Sequence, residues 1–211
     1  MRELQELYRD KKGDIVGRLE DFQRFRRKST DEEIFRELAF CIFTPQSKAK
    51  ACWASIQKLD EHDLLFKGSA EQIKQNLHCV RFHNKKAEYL VRARNLFSRN
   101  GKLSLKPLLN SCSDIRECRE WLVKNLTGLG YKEASHFLRN IGFGEKIAIL
   151  DRHILRNLCL LGVIPEVPES LGRVRYLLIE EKMAEFSAKA AIPLPHLDLL
   201  LWYKETGEIF K

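Results

Sequence analysis

The sequence predicts an all-α protein. Three observations carry this: apolar residues recur at helical spacing through most of the chain, capping residues stand just ahead of the apolar stripes, and no two alternating segments flank a hairpin turn. The clearest stripe is Ala134, Phe137, Leu138 and Ile141, whose separations of three, four and seven place all four on one helical face.

Taken in order, helices are expected at about 3–9 and 14–25, and then at 34–43, where apolar residues run nearly all round, as in a helix buried at a domain centre. Ser29, Thr30 and Asp31 supply its cap. Helices follow at about 48–59, at 70–77 behind Ser69, and at 85–98, marked by Ala87, Leu90, Val91 and Phe97. Ser113 and Asp114 cap a helix at 115–127 with the stripe Ile115, Cys118, Leu122 and Leu126. Beyond the Ala134 stripe, helices are expected at about 151–161, 171–186 and 196–204. Breaks fall at Asn100-Gly101, at Gly142-Phe143-Gly144, between Pro165 and Pro168, and at Pro193-Leu194-Pro195. Internal repeats and low-complexity linkers are absent.

Composition narrows the class of protein. The 211 residues are 44% hydrophobic and 31% charged, with 11 glycines and 6 prolines, which suits a folded chain and not a disordered or collagen-like one. No apolar run approaches the roughly 20 residues that cross a bilayer, and the charged start MRELQELYRDKKGD does not read as a secretory signal. A location in the cytoplasm, or in the nucleus of a cell that has one, is therefore expected. The six cysteines then read as reduced, mostly buried thiols, and with no Cys-x-x-Cys pair a zinc ribbon or C-terminal iron–sulfur loop is excluded on ligand count. A formal charge of +8 admits an anionic partner without requiring one.

The chemically informative stretch is LTGLGYKEASHFLRNIGFGEKIAILDRHI, residues 126–154. Gly128 and Gly130 lie between two strongly periodic helices and close a very short connection. Amides exposed by such a turn, with the N-terminus of the next helix, make a seat for a phosphate; taken alone, the same glycines are an ordinary helix–helix turn. Lys132 falls in the first turn of the following helix, where the positive end of the dipole disfavours an ammonium group and favours the free amine. An isolated lysine there is equally a solvated charge. Asp151, 19 residues on, ends the apolar run Ile147, Ala148, Ile149 and Leu150 at an expected helix N-cap. It is either that cap alone or the carboxylate partner of an amine nucleophile.

These residues resemble a known family, the helix–hairpin–helix DNA glycosylases that carry a Gly/Pro-rich loop and a catalytic aspartate. The hairpin LTGLGYK, the lysine directly after it, the 19-residue step to the aspartate and the Asp-x-His at Asp151-Arg152-His153 carry the resemblance, which extends from about Phe35 to the end of the chain. Within that family the chain is most similar to the short, type-2 8-oxoguanine DNA glycosylase/AP lyases of archaea and some bacteria, which end in a lysine, here Lys211, nine residues after a tryptophan, here Trp202. The proline that commonly precedes the catalytic aspartate is missing, and Gly142-Phe143-Gly144 keeps only the glycine character.

The resemblance implies two helical lobes with a DNA-binding cleft between them. The central lobe is expected at 31–147, with the helix–hairpin–helix at about 115–141, and the second lobe at 1–30 plus 148–211. It also implies a bifunctional base-excision repair enzyme acting through a lysine Schiff base. Lys132 is then the nucleophile and Asp151 the carboxylate beside it. Trp202, Lys211, Asp198 and Phe82 are the base-recognition candidates, and Gln46, Gly128, Gly130, His153, Arg81 and Lys85 the DNA-binding ones. Gln46, in Phe43-Thr44-Pro45-Gln46-Ser47, would occupy the gap left by an extruded base; otherwise it is an exposed amide on a proline turn. Arg81 and Lys85 belong to a basic cluster with His83, Asn84 and Lys86 that faces either phosphate or water. His153 and Trp202 also suit structural roles, and Lys211 a frayed terminus. No metal ligands and no required cofactor are expected, although a structural cation on the hairpin carbonyls fits the pattern. The expected partner is duplex DNA containing 8-oxoguanine, with no membrane association and a monomeric state. A non-catalytic helix–hairpin–helix module, a related glycosylase of other base specificity and a helical scaffold remain the alternatives.

Overall fold

Helix α1 (Arg2–Lys28) runs through Gly13 and Gly17 without a break. A Cβ at either glycine would meet nothing within 4 Å, so these positions cost about 1 kcal/mol each in propensity without forcing a turn. Leu4, Ile15 and Phe22 are buried on one face, and that continuous stripe joins what the sequence suggested were two helices. The computed structural model describes residues 1–209. Contacts divide the chain into two compact units, one of Met1–Arg27 with the chain from Leu138 onward, the other Lys28–Phe137. The divisions fall at 27/28 and 137/138, against the 30/31 and 147/148 expected.

In the Lys28–Phe137 unit the centre is α2 (Asp31–Phe43), nine of whose thirteen residues are buried. Its start is a capping box: Thr30 Oγ1 accepts from the Glu33 amide at 3.2 Å, and Glu33 Oε2 accepts from the Thr30 amide at 2.7 Å. Helices α3 (Ala49–Glu61), α4 (Leu64–Lys67), α5 (Ala70–Lys74) and α6 (His83–Phe97) follow, and α3 and α6 pack on α2. Ser69 and Gln72 repeat the capping box at α5. A small antiparallel pair, β1 (Ser98–Arg99) and β2 (Lys102–Leu103), then closes around Asn100 and Gly101, both at positive φ. No strand was expected, because two residues a side are too few to show alternation. Helix α7 (Lys106–Ser111) is tied to the start of α2 by Asp31 Oδ1, which accepts the Leu105 and Lys106 amides at 2.6 and 2.8 Å. Helices α8 (Ile115–Asn125), capped by Asp114, and α9 (Tyr131–Leu138) complete the run.

After α9 the helix expected to continue through Ile141 instead opens into one wide π turn, Arg139–Phe143, and a short 3-10 turn, Gly144–Lys146. The cause lies at Gly142, whose φ is +84°: a Cβ there would stand 2.6 Å from the Phe22 carbonyl oxygen and 2.8 Å from Arg26 Cβ, so only glycine lets α1 approach. Arg26 stacks on Phe143, 3.8 Å from the ring centroid, and Gln23 donates to the Gly142 carbonyl at 3.1 Å. Residues 147–150 are irregular and lead into α10 (Arg152–Leu160), which is followed by α11 (Arg173–Ala190) and α12 (Leu194–Thr206). Among the described residues no helix is long and apolar enough to cross a membrane. All six cysteines are free, but only Cys41, Cys52 and Cys118 are buried. Cys79 is exposed because it sits in the irregular turn ahead of α6.

Candidate active site

The hairpin between α8 and α9 is as short as its glycines suggest. Leu126 and Leu129 bury their side chains while Thr127, Gly128 and Gly130 face solvent. Gly128 has φ +85°, and a Cβ on it would lie 2.2 Å from the Tyr89 ring, so both its dihedral and its space require glycine. The Gly130 carbonyl accepts from Ala134 at 2.9 Å, which places Tyr131, Lys132 and Glu133 in the first helical turn, where amides lack helical acceptors. Lys132 is half-buried there, its Nζ 3.0 Å from Glu133 Oε1. The pair leaves part of the lysine side chain open to solvent while Glu133 is largely enclosed.

Gln46 follows α2 in a loop that also buries an ammonium group. Gln46 is exposed at φ +56°. Lys86, in the basic cluster, is only 4% exposed. Its Nζ donates to the Phe43 carbonyl at 2.7 Å, the Pro45 carbonyl at 2.6 Å and Ser47 Oγ at 3.2 Å. Burial pushes the Lys86 ammonium down to about 8, with Lys132 acting in the same direction and Cys52 and Glu133 opposing. Cys52 is pushed up to about 11, mainly by its own burial. Arg81, Phe82 and Lys85 are exposed. The Arg81 amide donates to Ser47 Oγ at 2.9 Å and its guanidinium lies 5.2 Å from the Phe82 ring centroid, so Gln46 and Phe82 occupy loops joined through Ser47. Nothing in the sequence separates Lys86 from its exposed neighbours, since its ammonium is enclosed by the end of α2 and the loop that follows it.

Asp151 is built from the other unit. It is the N-cap of α10, and its Oδ1 accepts the Ile154 amide at 2.8 Å. The irregular segment ahead of it pairs with no strand among the described residues, and side chains take up its amides instead. Glu180 accepts the Ala148 amide at 2.9 Å, Asp198 the Ile149 amide at 3.0 Å and Tyr176 Oη the Leu150 amide at 3.2 Å, while Tyr176 donates to the Ala148 carbonyl at 2.7 Å. Asp198, expected as a base contact, is 5% exposed and commits its carboxylate to this scaffold, with Arg139 Nη1 at 3.7 Å. Burial pushes Asp198 up to about 6 against the opposing pull of Arg139.

His153 and Trp202 meet. Their ring centroids are 5.2 Å apart, edge to face. Glu205 backs the pair: its Oε2 lies 3.6 Å from His153 Nδ1 and 3.5 Å from Arg156, and its Oε1 accepts from Asn157 at 3.0 Å. Glu205 escaped notice because a lone glutamate near a helix end carries no motif. Lys211 lies outside the described residues. Among those residues no group of three or more His, Cys, Asp or Glu side chains is arranged to hold a metal ion.

Helical units, a Gly-x-Gly hairpin followed at once by a lysine, and a capping aspartate 19 residues later define the class of helix–hairpin–helix DNA glycosylases. The chain belongs to the 8-oxoguanine DNA glycosylase family, whose sequence model matches residues 15–192. It is 48% identical over 209 residues to the 8-oxoguanine DNA glycosylase/AP lyase of Fusobacterium nucleatum, covering 99% of this chain and 96% of that protein. The protein of the same name from Korarchaeum cryptofilum is 44% identical over 191 residues, 90% of this chain and 88% of that one. The crystal structure of the Methanocaldococcus jannaschii 8-oxoguanine glycosylase/lyase, in complex with a 15mer DNA containing 8-oxoguanine, superposes with a TM-score of 0.88 at 34% identity and 100% coverage of both chains.

Proposed function

We propose that this protein removes 8-oxoguanine from duplex DNA and then cleaves the strand. The observation that carries this reading is the end-to-end match to proteins named for both activities, one of them solved with 8-oxoguanine-containing DNA. A damaged base inside a duplex is out of reach, so its nucleotide must be extruded at a cost of about a few kcal/mol. The exposed hairpin glycines Gly128 and Gly130, with Arg81, Lys85 and His153, hold the backbone and offset that cost. Gln46 fills the vacated stack.

Lys132 as a free amine attacks the anomeric carbon. The glycosidic bond breaks and its electron pair leaves with the base, which takes up a proton given up by the amine; the C1′–O4′ bond then opens, O4′ takes up a proton, and the nitrogen lone pair closes a protonated imine with the opened sugar. The Asp151 carboxylate stabilises the positive charge that develops on the sugar. Loss of a proton from the adjacent sugar carbon then expels the 3′ phosphate. Trp202 provides a stacking face for the extruded base, and the family resemblance assigns the polar edge of the base to Lys211. The lesion differs from guanine by an oxygen on carbon 8 and a hydrogen on ring nitrogen 7, and an acceptor in the pocket rewards that hydrogen. No step calls for a metal, so activity is expected to persist in EDTA, and the protein acts as a monomer in the cell interior.

The test is borohydride trapping on duplexes holding 8-oxoguanine opposite each of the four bases. Wild type becomes covalently attached to DNA and Lys132→Gln does not. Base release by Lys132→Gln at a near-normal rate would remove the nucleophile, and duplex binding without any trapping by wild type would leave a non-catalytic hairpin module.

A further inference from the structure

Lys86 joins three pieces of chain. The Phe43 carbonyl it holds is the last of α2 and has no helical donor, and Cys52 Sγ also donates to it at 3.3 Å. The Pro45 carbonyl and Ser47 hydroxyl stand on either side of Gln46, and Ser47 in turn accepts from the Arg81 backbone. A non-glycine residue in the left-handed region is strained and persists where its surroundings hold it. Here both neighbours of Gln46 are fixed by one ammonium group. Three uncharged oxygens bond that group, a costly way to bury a charge, since an apolar side chain of similar length would fill the space at less cost. Packing alone does not account for it.

We propose that Lys86 is a positioning residue for Gln46: its ammonium group locks residues 44–47 so that the Gln46 side chain meets the duplex from a single backbone conformation. The lock acts on extrusion of the damaged nucleotide and not on the chemistry at Lys132. The inference rests on the glycosylase reading and on Gln46 as the inserting side chain.

The deprotonated amine keeps two hydrogens for three acceptors. The groups facing it are Cys52 on α3 and Lys132 and Glu133 on α9, and since burial sets its titration near 8, the lock weakens as pH rises past that value.

The experiment uses a duplex with 8-oxoguanine opposite cytosine and 2-aminopurine beside the lesion, whose fluorescence rises on unstacking. Wild type, Gln46→Ala, Lys86→Met, Lys86→Arg and the Gln46→Ala/Lys86→Met double variant are compared. Lys86→Met is expected to lower single-turnover base release about tenfold, as Gln46→Ala does, and the double variant to fall within about twofold of either single. Trapping on a duplex that already holds an abasic site is expected to fall no more than about threefold, because no base must be unstacked. Lys86→Arg, which keeps a cation, recovers part of the release rate. The wild-type fluorescence change declines between about pH 7.5 and 9, and that of Lys86→Met does not. Base release by Lys86→Met at the wild-type rate, or multiplied losses in the double variant, would overturn the inference. If Lys86→Met does not fold, a flat wild-type pH series overturns it instead. Normal release by Gln46→Ala sinks the assignment of Gln46, and inactive wild type sinks the glycosylase reading, so each failure is separately visible.

Discussion

Asp198 Oδ1 accepts the Ile149 amide at 3.0 Å, so a buried carboxylate on α12 fixes the chain two residues ahead of Asp151. The same carboxylate faces Arg139 at 3.7 Å. Removing it therefore strands a buried amide and takes the carboxylate away from a buried guanidinium. Asp198→Ala is expected to lose about 3 kcal/mol in urea denaturation and to lower base release through displacement of Asp151.

Asp198 also predicts a pH dependence. Its folded value, pushed up to about 6, lies above the ordinary 3.8, so between about 4 and 6 the folded state binds the extra proton. That contribution is fully present below about 4 and is lost as pH rises through 6. Lowering the pH from 7 to 5 should shift relative stability toward wild type and away from Asp198→Asn, which cannot take up the proton. An equal response in both proteins would contradict the assignment.

Asp151 serves as both cap and proposed catalyst, and two substitutions separate the roles. Asparagine caps a helix about as well as aspartate, so Asp151→Asn should keep stability within about 0.5 kcal/mol and slow base release by about a hundredfold or more. Asp151→Ala should add a loss of about 1 kcal/mol in thermal or urea unfolding. A matched drop in stability for both variants would argue against the division.

At the hairpin, Gly128→Ala meets the Tyr89 ring and an unfavourable left-handed backbone together. Destabilisation of about 2 kcal/mol is expected, with a similar loss of affinity for damaged and undamaged duplex, as befits phosphate contacts. Adding Tyr89→Ala relieves the clash and leaves the dihedral cost, so affinity should recover in part. Selective loss for the damaged duplex would place Gly128 at the base instead.

Glu205→Ala withdraws the carboxylate behind His153, Arg156 and Asn157. Affinity for the 8-oxoguanine duplex should weaken about three- to tenfold, with a stability loss of about 1–2 kcal/mol. Titration of fluorescent duplex and thermal unfolding measure the two effects. Glu205→Gln retains an acceptor for Asn157 and should lie between.

How much of this was legible in the sequence follows from the range of the interaction involved. Caps at Thr30, Ser69, Asp114 and Asp151 were readable because each side chain bonds an amide within three residues of itself. Helix α1 was read as two pieces because Gly13 looks like a stop in a sequence, while the stripe of Leu4, Ile15 and Phe22 that overrides it is spread over 18 positions. Helices α4 and α7 were missed, having four and six residues and no room for a repeating stripe. The π turn at Gly142 depends on Phe22 and Arg26, more than a hundred residues away. Of the site, Lys132 and Asp151 stood out through spacing and resemblance. Lys86 is legible only as one member of a basic cluster, and Tyr176 and Glu180 are silent, since each acts through a contact that only the folded chain creates.

The way residues 147–150 are held has a consequence for wear over evolutionary time. In a sheet, a slip of two residues keeps each side chain on its own face and leaves a backbone ladder able to re-form. This stretch hangs instead on three different pegs, a glutamate, an aspartate and a tyrosine, each matched to one amide. Sliding it would unhook all three together, so insertions and deletions are barred here even though the backbone makes no ladder.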